Sequence, residues 1–336
     1  MGTPRPDIPE ILDTYSPAAG RPPADEQVYV PRTPHRFEPP PRRNWRHLVL
    51  FVLTVFTTTL VGGSHYAAFA SDFGSGRLDL TSASLYLNGL WYSVSILAIL
   101  GAHEFGHYYA CRYYGVDASL PYFLPAPLPL TGTLGAFIRI RQLIPGKREL
   151  FDIGIAGPIA GFIVAVPVLL AGMALSRVVQ LPPVTNGIVE LGEPLLFQGA
   201  AWLVFGSIPD GYSINMHPMG FAAWFGLLAT ALNLFPIGQL DGGHISYAVL
   251  GRKSTIVTLS TVACLVGLSF LSSSWIVWTV LTVAMLLAFG PRHPRTFDEE
   301  IPLDRTRMLL AAFAAAMFIL CFTPAPIEPF DLVGSR

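Results

Sequence analysis

The chain has 336 residues, of which 52% are hydrophobic and 13% are charged. Soluble proteins usually carry about 25% charged residues, so this deficit excludes an ordinary soluble enzyme and indicates a membrane protein. A formal net charge of −1 gives no electrostatic reason to expect a nucleic-acid partner. The three cysteines form no CxxC pair, so they predict neither a disulfide framework nor a cysteine-based metal site.

The first segment, residues 1–45, is rich in proline and poor in aliphatic side chains. Such a composition cannot bury a hydrophobic core, so we expect a disordered tail on the cytosolic side of the membrane. We expect this tail to be solvated; the alternative is that a partner protein docks on it.

The rest of the chain predicts an all-α polytopic membrane protein with about seven transmembrane helices. The hydrocarbon core of a bilayer is about 30 Å thick, and a helix needs about 20 apolar residues to cross it. The predicted spans cover residues 47–63, 86–110, 150–174, 218–236, 255–271, 274–290 and 307–323.

Two segments interrupt this pattern. Residues 116–148 are apolar but contain five prolines, which excludes a continuous helix and predicts a re-entrant loop. Within it, residues 136–141 alternate between apolar and polar side chains as a strand does. Residues 176–216 are more polar, and we predict an outer loop that is too short to hold an additional domain.

The positions of the lysine and arginine residues predict how the chain is oriented in the membrane. If the N-terminus is cytosolic, most basic residues near the spans fall on the cytosolic side, and only Arg77, Arg177 and Arg336 fall outside. The short N-terminal segment has no recognisable transit peptide, which favours the prokaryotic cell membrane as the location.

The second span ends in His103-Glu104-Phe105-Gly106-His107, which matches the pattern HExxH. Residues four apart share one face of a helix, so the two histidines can bind one Zn²⁺. Glu104 is close enough to accept a proton from water at that metal. The alternative is a polar helix end that reaches the membrane surface. Ionisable residues inside a membrane are costly, however, and are functional candidates by default.

A second polar segment, residues 233–244, ends the fourth span at the same predicted depth. Asp241 is the expected third ligand, because two histidines and a carboxylate leave a fourth position for water, as in catalytic zinc sites. His244 is left open as an alternative ligand, or as a hydrogen-bond partner of one. The sequence therefore predicts one zinc ion per chain.

These motifs occur in a specific order: HExxH, then GTLGAFIR at 132–139, GIAGP at 154–158, Leu232-Asn233, and LDGGH at 240–244. In this order the chain resembles the site-2 protease family of intramembrane zinc metalloproteases, over about residues 85–255. It is most similar to the prokaryotic and plastid-type members that lack a PDZ or CBS domain. The resemblance implies that Asp241 is the third zinc ligand and that Asn233 binds substrate or the oxyanion near the metal.

Composition, hydropathy and the resemblance together predict a division of the chain. Residues 1–45 form the tail and 46–255 the membrane metalloprotease core, while 256–323 add further transmembrane helices and 324–336 form a short tail. The implied function is hydrolysis of peptide bonds in membrane-spanning proteins, with Glu104 as the general base.

Other functions are compatible with a metal in the membrane. A membrane zinc hydrolase could act on another class of substrate, and a zinc-binding transporter would have no catalytic activity. A transporter needs ligands but has no use for a general base beside the first histidine, so Glu104 favours an enzyme. We further hypothesise that the strand at 136–141 binds an extended substrate by β-augmentation.

A few other polar and small residues give weaker predictions. We expect His65 on the solvent side and His217 as an interfacial cap at the outer end of the fourth span. Asp152 is expected either to orient a ligand histidine or to interact with the dipole of its helix. Close helix packing is predicted at the small residues Gly154, Gly157 and Gly161.

Overall fold

The computed structural model describes residues 44–73, 81–144, 146–181, 189–290, 294 and 296–329. Most of the predicted N-terminal tail (1–45) and the end of the predicted C-terminal tail (324–336) lie outside these residues. Arg77 and Arg336, which were used to predict the orientation, also lie outside them.

The described residues are mainly helical, with three small antiparallel sheets. The helices are α1 (Trp45–Ala70), α2 (Ser82–Tyr113), α3 (Lys147–Leu175), α4 (Leu195–Phe205), α5 (Pro218–Asn233), α6 (Asp241–Leu250), α7 (Ser254–Leu268), α8 (Ser274–Phe289) and α9 (Arg305–Cys321). The strands are β1 (Tyr122–Pro125), β2 (Thr133–Phe137), β3 (Arg177–Gln180), β4 (Val189–Leu191), β5 (Tyr212–Asn215) and β6 (Ile327–Pro329).

Four segments of the described chain are long and apolar enough to cross a membrane: α1, α2, α3 and the joined α6–α7 segment Asp241–Leu268. Every one of the seven predicted spans coincides with a helix. However, α5, α8 and α9 have only 16, 16 and 17 residues, fewer than the roughly 20 that a crossing needs. Four candidate spans therefore indicate a membrane protein, and the number seven stays a prediction.

The core lies where α2, α3 and α5 pack together, with α1 against α2. The contact between α1 and α2 depends on glycine, because a Cβ on either Gly62 or Gly89 would overlap the backbone of the other helix. Thr58 and Ser93 hydrogen-bond across the same interface at 2.7 Å. The largest fully buried side chains of this core are Tyr92, Ile99, Leu169, Met173, Trp224 and Leu227.

The proline-rich segment 116–148 contains a β-hairpin. Strand β1 pairs with β2, and an isolated bridge joins Ala118 to Ile140. The partly β character is as predicted, although β2 begins at Thr133 and ends at Phe137 rather than covering 136–141. Re-entry of this segment into the membrane stays a prediction.

The hairpin loop is fixed to α1 and α2. Nε2 of His65 lies 2.9 Å from the carbonyl oxygen of Leu130, and the hydroxyl of Tyr92 donates to the carbonyl of Thr131 at 3.0 Å. The expectation that His65 faces solvent is wrong, because α1 continues to Ala70 instead of ending near residue 63. The longer helix brings His65 into a buried position against the loop.

Residues 176–216 contain regular structure rather than a plain loop. Strand β3 pairs with β5, and β4 pairs with β6 from the predicted C-terminal tail. Between them, α4 is an apolar helix of 11 residues, about half the length needed to cross a bilayer. His217 caps α5 as predicted, because its side chain accepts a hydrogen bond from the backbone N–H of Met219.

Helix α9 is joined to the core by an ion pair near the start of α3. Nε of Arg307 donates to Asp152 at 2.9 Å, a second guanidinium nitrogen binds the other carboxylate oxygen, and the hydroxyl of Tyr114 also donates to Asp152. The predicted contact of Asp152 with a ligand histidine is wrong, since its carboxylate is bound by Tyr114 and Arg307.

Candidate metal centre

The two histidines of the HExxH sequence lie on the last third of α2. This helix begins after Thr81, whose hydroxyl oxygen accepts a hydrogen bond from the backbone N–H of Ser84, and it ends before Gly115, which has a φ of +68°. His103 and His107 are one turn apart and buried. Their Nε2 atoms lie 3.1 Å from each other.

A tight turn between α5 and α6 brings the third side chain to these histidines. A Cβ on Gly242 would overlap the carbonyl of Leu234, so only glycine allows α6 to pack directly on the end of α5. Asp241, the first residue of α6, then faces α2. Its Oδ2 lies 3.1 Å from Nε2 of His103 and 3.2 Å from Nε2 of His107.

The geometry of these three atoms fits a zinc ion. Zinc–ligand distances of about 2.0–2.1 Å in a tetrahedron place the ligand atoms roughly 3.3 Å apart, close to the separations observed here. Among the described residues, His103, His107 and Asp241 form a group of potential metal ligands, with the ligand atoms all within 4.8 Å of one another. Three protein ligands leave the fourth tetrahedral position for water or substrate.

The orientation of His107 is set by α3. Its Nδ1 lies 2.7 Å from the carbonyl oxygen of Ile153, so the Nδ1–H donates there and Nε2 is left as the ligand atom. Gly157 lies one turn further along α3, and a Cβ at this position would overlap the imidazole ring of His107. The predicted close packing at the glycines of α3 thus places α3 directly against the metal ligands.

Replacing Gly157 with alanine is expected to weaken metal binding, because the added methyl group must displace His107 from its contact with Ile153. Loss of a contact that orients a ligand typically costs roughly 10–100-fold in metal affinity, which metal titration of the purified variant would measure. Gly267→Ala in α7 is the matched control, since nothing lies within 4 Å of a Cβ there. Equal affinities of the two variants would contradict the proposed contact.

Glu104 is buried beside the ligands, close to the end of β2 in the hairpin. Glu104 also faces a cavity of about 230 Å³, which the three metal ligands line together with Phe137 and Ile138. A water molecule or a peptide in this cavity is within reach of both Glu104 and the ligands.

Asn233 and His244 both line the same cavity. The side-chain nitrogen of Asn233 lies 3.4 Å from Nε2 of His103, which is the position near the metal that the family resemblance implies. His244 does not belong to the group of three ligands within 4.8 Å, so its role as an alternative ligand or partner stays a prediction.

Sequence reasoning did not identify the backbone group that orients His107. The carbonyl of Ile153 accepts its hydrogen bond, but every residue carries such a group and no side-chain pattern marks it. The glycines of α3 were a usable signal for this contact, because they indicate where another helix approaches closely.

Comparison with known proteins agrees with this site. The family model of peptidase family M50 matches residues 91–274, which include all three ligands, Glu104 and Asn233. The chain therefore belongs to peptidase family M50, the site-2 protease family, as the resemblance in its sequence indicated.

Several plant proteins are similar to this chain. "Probable zinc metalloprotease EGY2, chloroplastic" of Oryza sativa subsp. indica is 29% identical over 321 residues, which are 91% of this chain and 56% of that protein. The protein of the same name from Arabidopsis thaliana is 31% identical over 276 residues, covering 81% and 48%. "Probable zinc metalloprotease EGY1, chloroplastic" of Arabidopsis thaliana is 28% identical over 324 residues. The chain spans about half the length of these relatives.

Proposed function

We propose that this protein is a zinc endopeptidase that hydrolyses peptide bonds of membrane-spanning proteins. The observation that carries the proposal is the convergence of His103, His107 and Asp241 beside the buried Glu104, near the end of a helix long enough to cross a membrane. The names of the plant relatives as zinc metalloproteases support the same activity.

In the proposed reaction, Glu104 accepts a proton from the attacking water and later delivers it to the nitrogen of the leaving amine. His103, His107 and Asp241 would hold the zinc ion, which when bound would acidify that water and polarise the scissile carbonyl. Asn233 is placed to donate a hydrogen bond to the carbonyl oxygen as negative charge develops on it. The peptide bond is thereby replaced by a carboxylic acid and an amine.

The substrate is proposed to bind in extended form along β2. A helical substrate must unwind before cleavage, because its carbonyls are hydrogen-bonded within the helix. Strand β2 pairs with β1 on one side only within the described sheets, so its other edge has backbone groups for β-augmentation. Ile138, the residue after β2, lines the same cavity as Glu104, so the end of this strand lies beside the general base.

The membrane location and orientation are inferred from the long apolar helices and the basic residues. Helices long enough to span a membrane support an integral membrane protein, and we propose a cytosolic N-terminus from the distribution of basic residues. The relatives from rice and Arabidopsis are named chloroplastic, which differs from the prokaryotic cell membrane predicted from the sequence.

Cleavage of a single-span membrane protein by the purified full-length chain in detergent tests the proposal. We expect the wild-type protein to cut the substrate, and a zinc chelator to abolish the cleavage. Re-addition of zinc should restore it, which distinguishes metal removal from damage to the protein. Zinc bound at one ion per chain without cleavage of any membrane-spanning substrate would favour the non-proteolytic alternatives.

A further inference from the structure

A second cavity, of about 200 Å³, lies on the other side of the candidate catalytic residues. It shares four lining residues with the first cavity: His103, Glu104, Ala136 and Asn233. Its other walls include Ile99 of α2 and Ala229 of α5, each about one turn before His103 and Asn233, together with parts of β2, α3 and α8. We call it the deep cavity, because its residues from α2 and α5 lie further from the ends of both helices.

Strand β2 runs from one cavity to the other. Leu134 and Gly135 line the deep cavity, whereas Phe137 and Ile138 line the first cavity, and Ala136 lines both. An extended peptide bound along β2 therefore passes Glu104 and the metal ligands at the boundary between the cavities. The residue on one side of its scissile bond then faces the deep cavity.

Apart from Thr230 and the residues shared with the first cavity, the deep cavity is lined by apolar or small residues. Ala229 and Gly226 of α5 face Gly161 of α3, and Trp278 of α8 adds an aromatic wall from outside the matched family region. The hydroxyl of Thr230 is already bonded to the carbonyl of Gly226 at 2.9 Å, so it offers little to a polar ligand. A charged side chain that reaches past Glu104 and Asn233 into this apolar part would lose its hydration without gaining a partner there.

We propose that the deep cavity is a specificity subsite that takes one uncharged, apolar side chain from a residue next to the scissile bond. An apolar cavity of roughly 150 Å³ binds benzene, so about 200 Å³ accommodates side chains up to the size of phenylalanine. This subsite defines the substrate class as membrane-spanning segments with an apolar residue of medium or large size at that position. The inference rests on the proposed protease activity.

The test uses the full-length protein and a single-span substrate whose cleavage site has been mapped by mass spectrometry. Each residue flanking that site is replaced in turn by alanine, leucine, phenylalanine or aspartate. At one flanking position, wild type should cut the leucine and phenylalanine substrates at least about tenfold faster than the aspartate substrate. Ala229→Phe fills the cavity and should lower the leucine-to-alanine ratio there by about tenfold or more.

Trp278→Ala provides the opposite change, since it removes one wall and should raise the phenylalanine-to-leucine ratio at the same position. Ala284→Phe is the matched control on an exposed face of α8, and it should leave every ratio unchanged. The inference is overturned if Ala229→Phe binds zinc normally and keeps the wild-type ratios at all positions. It is also overturned if Ala229→Phe cuts nothing and Trp278→Ala changes no ratio. Failure of wild type to cut any substrate would instead refute the protease activity itself.

Discussion

Replacing Glu104 with glutamine is expected to reduce peptide-bond cleavage by roughly 10²–10⁴-fold while leaving the bound zinc unchanged. Glutamine has nearly the same shape as glutamate and fits the same buried position. The amide cannot take up a proton from water, however, so only the general-base step is removed. The measurement is the initial cleavage rate together with the zinc content of the same sample.

The prediction for Glu104→Gln has a control variant and an outcome that would contradict it. Glu300→Gln makes the same chemical change at an exposed position and should cleave at the wild-type rate. If Glu104→Gln retained zinc and also cleaved at that rate, Glu104 would not be the base and the proposed mechanism would be wrong.

Replacing Asp241 with asparagine should remove most of the bound zinc. The amide is close in shape to the carboxylate, so α6 can begin as before, but the negative charge that faces both histidines is lost. We expect the loss in affinity to exceed the roughly 10–100-fold that removing a partner of a ligand costs. Equilibrium competition with a zinc-binding dye measures this affinity directly, without reference to any substrate.

His244→Ala is the informative comparison, because His244 lines the same cavity but lies outside the group of three ligands. If Asp241 is the ligand, His244→Ala should keep its zinc. The reverse result, with zinc kept in Asp241→Asn and lost in His244→Ala, would show that the alternative ligand is the true one.

The side chains of the candidate site could be predicted from the sequence because their spacing carries the chemistry. His103 and His107 share one face of a helix. Asp241 lies in the polar segment 233–244, which ends another apolar span at the same predicted depth in the membrane. The prediction of Asn233 rested on the family resemblance. In the structure its side-chain nitrogen lies 3.4 Å from Nε2 of His103. These features depend on local helix geometry and on burial, both of which a sequence pattern records.

The parts that sequence analysis missed depend on contacts between distant segments. Nothing near His65 in the sequence indicates that Leu130 will accept its hydrogen bond, and nothing near Asp152 indicates Arg307 of α9. Helix ends were also misjudged, because α1 continues seven residues past the predicted boundary at 63 without a strong stop signal. Such ends are set by tertiary packing more than by local propensity.

The attachment of α9 to α3 bears on where an autonomous folding unit of this protein ends. The family match stops at residue 274, yet Arg307 supplies the guanidinium for Asp152, the residue directly before the carbonyl that orients His107. At the other side of the match, α1 packs against Ser93 of α2 and holds the hairpin loop through His65. A fragment limited to the matched residues would leave the Asp152 carboxylate without its counter-ion and would expose the face of α2 that packs against α1. The smallest piece worth isolating therefore runs from α1 to the end of α9.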